Sequence, residues 1–82
     1  MTKYIELNKD DFNSAVSIIQ KIKDNGKLLI KLNAQTYGGL ITLDGTAEEI
    51  NSLCSILENN GIITEWNVNF NSDIIEFRNC FF

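Results

Sequence analysis

Two pairs of adjacent carboxylates, Asp10-Asp11 and Glu48-Glu49, are the residues whose type and spacing come nearest to doing chemistry. Paired carboxylates can divide acid and base roles, or hold Mg²⁺ through oxygen. Each pair also opens a segment of helical periodicity, where negative charge stabilises the positive end of the helix dipole. That second role accounts for both pairs. No histidine and no Cys-x-x-Cys is present, so neither a zinc nor another transition-metal site is expected. Gly38-Gly39 after Tyr37 could cradle a phosphate, but no helix start bearing a lysine follows. A hairpin turn needing positive φ is the simpler reading. No catalytic residue, cofactor-binding set or metal ligand emerges, and the chain reads as non-enzymatic.

Composition narrows the partner. Eighty-two residues, 44% of them hydrophobic, suit one domain, 1–82, with a single core. A net charge of −4 with one arginine, Arg78, argues against direct contact with a nucleic-acid backbone. No apolar run is long enough to span a membrane, and Met1-Thr2-Lys3 leads into a strand rather than a signal peptide. A cytoplasmic location is expected. Cys54 falls on an apolar helix face and Cys80 in the terminal segment, and their spacing does not call for a disulfide. Asn, Ile and Lys are abundant and proline is absent, a usage that A/T-rich codons favour.

The elements repeat. Tyr4 to Asn8, an acidic helix start and Asn25-Gly26 recur as Leu40 to Asp44, a second acidic start and Asn60-Gly61. Each half continues into an apolar run, Lys27 to Leu32 and Ile62 to Phe70. The first helix is expected over about Lys9 to Asp24, capped by Asn8 and closed by Gly26. Its stripe is Phe12, Ala15, Val16, Ile19 and Ile22. The second begins with the capping box Thr46-Ala47-Glu48-Glu49 and buries Ile50, Leu53, Cys54 and Leu57. Strand alternation turns Ile5, Leu7, Leu28, Ile30, Leu32, Ile41, Leu43, Trp66, Val68 and Phe70 towards the helices. After a turn at Asn71-Ser72-Asp73, residues 74–82 offer a fifth strand with Ile75, Phe77 and Phe81 on one side, paired with the fourth strand.

The βαββαβ pattern of residues 3–70 resembles the ferredoxin-like split βαβ architecture. The resemblance implies an α+β sandwich, sheet order 4-1-3-2 with antiparallel neighbours, and two antiparallel helices on one face. Residues 71–82 would add a strand at the edge. The two acidic pairs would then lie at opposite ends of the molecule. The fold carries many functions. In Thr36 to Leu43, glycine and leucine stand at the two places where an RNA-recognition domain carries stacking aromatics. Asn8-Lys9-Asp10-Asp11 holds neither the cysteines of a metal-transfer domain, the glycines of an ACT-like sensor, nor the arginine of an acylphosphatase-like loop.

What remains is the sheet face away from the helices. Alternation places Tyr4, Glu6, Leu29, Lys31, Leu40, Thr42, Ile63, Glu65, Asn67 and Asn69 there. An apolar group rimmed by polar residues marks an interface. Tyr4, Leu29, Lys31, Leu40, Ile63 and Glu65, with Tyr37 on the hairpin, are the expected partner-binding residues. The second strand, Lys27 to Asn33, offers an open edge guarded by Lys27 and Lys31. The expected partner is another protein, with a nucleic-acid-processing complex as the specific case, and homodimerisation is the competing way to cover the face. Small size, acidity and codon usage together suggest an inhibitor or regulator from a phage or mobile element, of the anti-CRISPR type. An acidic immunity protein against a nuclease toxin and a ligand-sensing domain dimerising through its sheet are the rivals. Asp24, Asp44, Glu58, Asp73 and Glu76 are too scattered to indicate a DNA-mimic stripe.

Overall fold

The computed structural model describes residues 1–25 and 33–78. It is an α+β arrangement of two helices and small antiparallel sheets: β1 (Thr2–Glu6), α1 (Lys9–Asp24), β2 (Asn33–Tyr37), β3 (Leu40–Asp44), α2 (Ala47–Asn59), β4 (Thr64–Asn67) and β5 (Glu76–Arg78). The expected second strand, Lys27 to Asn33, lies outside the described residues except for Asn33, which opens the observed β2. Gly26, Leu29, Lys31, Cys80 and Phe81 lie outside them as well.

Both helices start where local chemistry stops the preceding chain. Asn8 accepts the Asp11 amide through its side chain at 2.8 Å, satisfying a donor that the helix leaves free. Thr46 and Glu49 form the reciprocal capping box, with bonds of 3.2 and 3.0 Å. At the far end of α2, Gly61 adopts φ +75, Gly61 N–H donates to Glu58 O and Ile62 N–H to Leu57 O. This Schellman pattern closes the helix and folds Ile62 back onto the core.

The stripes meet the sheet as alternation requires. Ile50, Leu53, Cys54 and Leu57 of α2 are all buried, and Ala15 and Ile19 of α1 join them against Ile5, Ile41 and Leu43. Phe12, Ile18 and Ile22 pack around that centre, half-buried. Register follows from one hairpin. Tyr37 pairs with Leu40 across Gly38-Gly39, whose φ values of +57 and +91 are those of a type I′ turn. Leu7 N–H donates to Gly39 O at 2.9 Å, tying the hairpin to the end of β1.

The two glycines should respond oppositely to substitution. A Cβ on Gly39 would lie 3.2 Å from Leu7 O on a backbone that L-residues avoid. Gly39→Ala should therefore cost about 1–3 kcal/mol. Gly38 faces open space at φ +57, a conformation asparagine tolerates. Gly38→Asn should be neutral or gain up to about 0.5 kcal/mol by restricting the unfolded chain. Urea midpoints of the two variants check the contrast.

Sheet order is β1-β3-β2, with β4 and β5 forming a separate antiparallel pair. The expected neighbour of β1 was the fourth strand, running antiparallel. The chain instead turns back after β4 and brings residues 73–75 alongside β1. Tyr4 N–H donates to Asp73 O at 2.7 Å, Ile75 N–H donates to Tyr4 O at 2.9 Å, and Tyr4 and Ile74 form a parallel bridge. The C-terminal segment pairs with β4 as expected, but it lies between β4 and β1 rather than at the outer edge. Burial of Ile75, 1% exposed, gives the physical reason: in this position the returning chain delivers that side chain to the core.

Two assignments change with β4, Ile63 from outward to inward and Phe70 from inward to exposed. Thr64 pairs with Arg78 and Asn67 with Glu76, so β4 spends one residue more than β5 over the same span. That extra residue is a bulge, marked by Glu65 at φ +47. A bulge reverses the alternation, which is why Ile63 is fully buried rather than on the outer face. Trp66 and Val68 still pack against the core, but β4 ends at Asn67, and Phe70 lies in a turn with 81% exposure.

Candidate protein-binding face

β1, β3 and β2 present one side to the core and the other outward. Tyr4 stands opposite Thr42, and Thr42 opposite Gln35, while Glu6 stands opposite Leu40. The parallel bridge adds Ile74 beside Tyr4 on the same side. Tyr4, Leu40 and Thr42 are half-buried and Ile74 is 41% exposed, so three apolar side chains from three adjacent segments share this face. The charges that β1 and β3 add to it are Glu6 and Asp44, the latter 3.9 Å from the N-terminal ammonium of Met1. Glu76 and Arg78, two and four residues beyond Ile74, bring one charge of each sign. The face thus combines an apolar centre with a rim of mixed charge.

The seven expected binding residues separate into groups. Tyr4 and Leu40 are brought together on the outward face, and Tyr37 is placed opposite Leu40 by backbone register. Glu65 is exposed and meets Arg78 at 3.4 Å, an ion pair whose side chains are both largely in solvent and which therefore adds little stability. Ile63 is removed from the face by the bulge. Leu29 and Lys31 lie outside the described residues.

Sequence reasoning missed Ile74, Phe70 and Lys3. Lys3 is 3% exposed, the buried charged residue among those described. Its ammonium donates to the carbonyl oxygens of Asn69, at 2.7 Å, and Ser72. The signal was present in the alternation, because Lys3 shares the inward parity of Ile5 and Leu7.

A cleft of about 370 Å³ lies between the start of α1 and the hairpin, lined by Leu7, Lys9, Phe12, Asn13, Gly38 and Gly39. Among the described residues, no group of three histidine, cysteine or acidic side chains could hold a metal ion. No helix among them is long and apolar enough to cross a membrane.

Cys54 is fully buried, and desolvation by burial pushes its thiol up to about 12. Nucleophilicity requires the thiolate, so this cysteine is inert in the folded protein. In a Cys80→Ser background, a thiol reagent at pH 8 should label Cys54 only as fast as the protein unfolds. The raised value also fixes a pH dependence. The folded state favours the neutral thiol, so its contribution is intact below about 9 and is lost as pH rises towards 12. Labelling at the rate of a free thiol in native buffer would contradict the burial.

No family model, curated protein or solved structure matches the chain, so the functional reading rests on this face and its chemistry.

Proposed function

We propose that the chain is a non-enzymatic protein-binding module that inhibits or regulates a partner by covering one of its surfaces. The supporting observation is the outward sheet face, where Tyr4, Leu40 and Ile74 lie on adjacent segments with no helix over them among the described residues. The β1-β3-β2 order agrees with three strands of a ferredoxin-like sheet, and a ferredoxin-like scaffold with an inserted C-terminal strand is our finer reading of the fold. A phage or mobile-element anti-defence role, of the anti-CRISPR type, is the specific form we favour. Its basis is the small acidic chain together with this outward face.

The net charge of −4 favours one second reading, an immunity protein that neutralises a basic nuclease toxin. The two differ in salt dependence. An interface dominated by charge pairs weakens steeply as ionic strength rises, and an apolar one holds.

The test is a tagged pull-down from host lysate, treated with nuclease, beside a Leu40→Glu variant. Leu40 is half-buried at the strand end, so the variant should keep its thermal transition. Stoichiometric capture that disappears with Leu40→Glu is the expected result, and the purified pair should lose at least roughly tenfold in affinity. Retention of the partner by a folded Leu40→Glu protein would remove the outward face from the interaction.

A further inference from the structure

The cleft between the start of α1 and the hairpin combines an apolar floor with polar groups that have no other partner. Lys9, Phe12 and Asn13 stand at i, i+3 and i+4, so the helix turns all three to one side, towards Leu7 and the Gly38-Gly39 turn. Leu7 and Phe12 are half-buried and pack against the core, which fixes the floor. The side chains of Lys9 and Asn13 are exposed and make no hydrogen bond or ion pair with another described residue. Gly38 N–H and Gly39 N–H likewise donate to no carbonyl among the described residues. A Cβ at Gly38 would meet nothing within 4 Å, so the space beside the turn is open.

Charge decides what enters. Lys9 is the charged residue in the lining. Glu6, Asp10 and Asp11, its near neighbours in the chain, are all carboxylates and oppose it. Asp11 is turned back on the cap, where it accepts from Asn8 Nδ2 at 3.0 Å. Asp10 is rotated by roughly 100° from Lys9 about the helix axis, and Glu6 belongs to the outward face of β1. These charges act through water and salt, which screen them over about 10 Å. A ligand oxygen on Lys9 sits in contact with the ammonium. The carboxylates therefore weaken the attraction for an anion without reversing it, and the apolar floor must supply much of the affinity. A cationic ligand would meet the ammonium with no carboxylate in the lining to offset it.

We infer that the cleft is a small-molecule site for a carboxylic acid with a compact apolar body. The body lies on Leu7 and Phe12, and the carboxylate accepts from Lys9 Nζ. The volume of about 370 Å³ falls at the small end of ligand pockets, which span about 300–1,000 Å³. It suits a single ring with a short acid chain. The site stands independently of the protein-binding face, because Leu7 continues the inward parity of Ile5, opposite to Tyr4.

The test follows the amide resonances of isotope-labelled protein during titration with phenylpropionate, its uncharged amide phenylpropionamide and the cationic phenylpropylamine. Saturable shifts confined to residues 7–13 and 38–40 are expected, with a dissociation constant on the order of 1 mM for the acid. The amide should bind about three- to fivefold more weakly, and the amine more weakly still. Lys9→Glu places its carboxylate at the first helical position, which the helix dipole favours, so its melting temperature should hold. In that variant the order should reverse, with the amine binding best. Equal binding of acid and amide, or an acid preference that survives Lys9→Glu, overturns the ligand class. Absence of saturable shifts at these residues with all three probes overturns the site.

Discussion

Ile63→Glu should abolish cooperative folding, whereas Leu40→Glu should leave it intact. The side chain of Ile63 has no exposure and packs within the cluster that joins both helices to the sheet. A glutamate there loses the transfer free energy of the isoleucine and must either bury an unpaired carboxylate or take up a proton at neutral pH. Burying the charge costs several kcal/mol even after relaxation. Neutralising it still leaves an acid group without a hydrogen-bond partner. A domain of this size is stable by roughly 4–12 kcal/mol, and the lost isoleucine burial and the charge penalty, about 2–5 kcal/mol and several kcal/mol, together match that range. Circular dichroism melts and the dispersion of amide resonances check this directly. An Ile63→Glu protein with an unchanged melting temperature would put residue 63 on the surface. The bulge at Glu65 would then be wrong.

That one position shows where the sequence was legible and where it was not. The second helix could be read in full because its signals are local: Thr46 and Glu49 cap each other three residues apart, and its buried stripe follows a 3.6-residue period. The β1 and β3 faces could be read for the same reason, since a regular strand alternates strictly. Alternation fails wherever one residue is inserted. A bulge residue with positive φ is usually glycine or asparagine, and here it is a glutamate, so nothing in Thr64-Glu65-Trp66-Asn67 announced it. The error then moved Ile63 to the wrong face. Continuing the pattern past the end of β4 also hid the exposure of Phe70.

The C-terminal segment pairs with β4 as its alternation suggested, but its passage beside β1 was unreadable for a different reason. Ile75 and Phe77 on one side and Ile74 and Glu76 on the other were visible as an alternating run. Which strand such a run pairs with depends on contacts distant in sequence, and a parallel bridge to Tyr4 leaves no local mark. One of the three apolar residues of the candidate site depended on this. Tyr4 and Leu40 came from strand parity alone, while Ile74 joined them only through the bridge. Lys3 was readable by parity, but a lysine near the chain start is ordinarily assigned to solvent.

Lys3→Met is the second large effect, and its sign depends on which of two opposing contributions wins. The wild-type ammonium loses hydration on burial, and among the described residues no carboxylate pairs with it. Methionine fills similar space without that penalty, and replacing buried charges by apolar groups can stabilise a protein. Against this, a charged donor to a carbonyl contributes about 1.5–3 kcal/mol, and Lys3 makes two such bonds. The variant leaves both acceptors facing a methyl thioether. Asn69 O keeps its weaker bond from Ser72 N–H at 3.3 Å. Ser72 O must find water, and it can do so only if the loop lifts from β1. Lifting is resisted by the Tyr4–Asp73 and Ile75–Tyr4 bonds and by the burial of Ile75. The loop is therefore caught between an unsatisfied carbonyl and the core, and a net loss of about 1–3 kcal/mol is expected. Hydrogen exchange should locate it: amides of residues 69–75 lose protection beyond the global change, while those of α2 follow global stability. Lys3→Arg, which keeps the donors, should recover part of the loss. A Lys3→Met protein that is more stable, with unchanged exchange at 69–75, would mean that desolvation outweighs the two bonds. The lysine would then not be what holds that loop against β1.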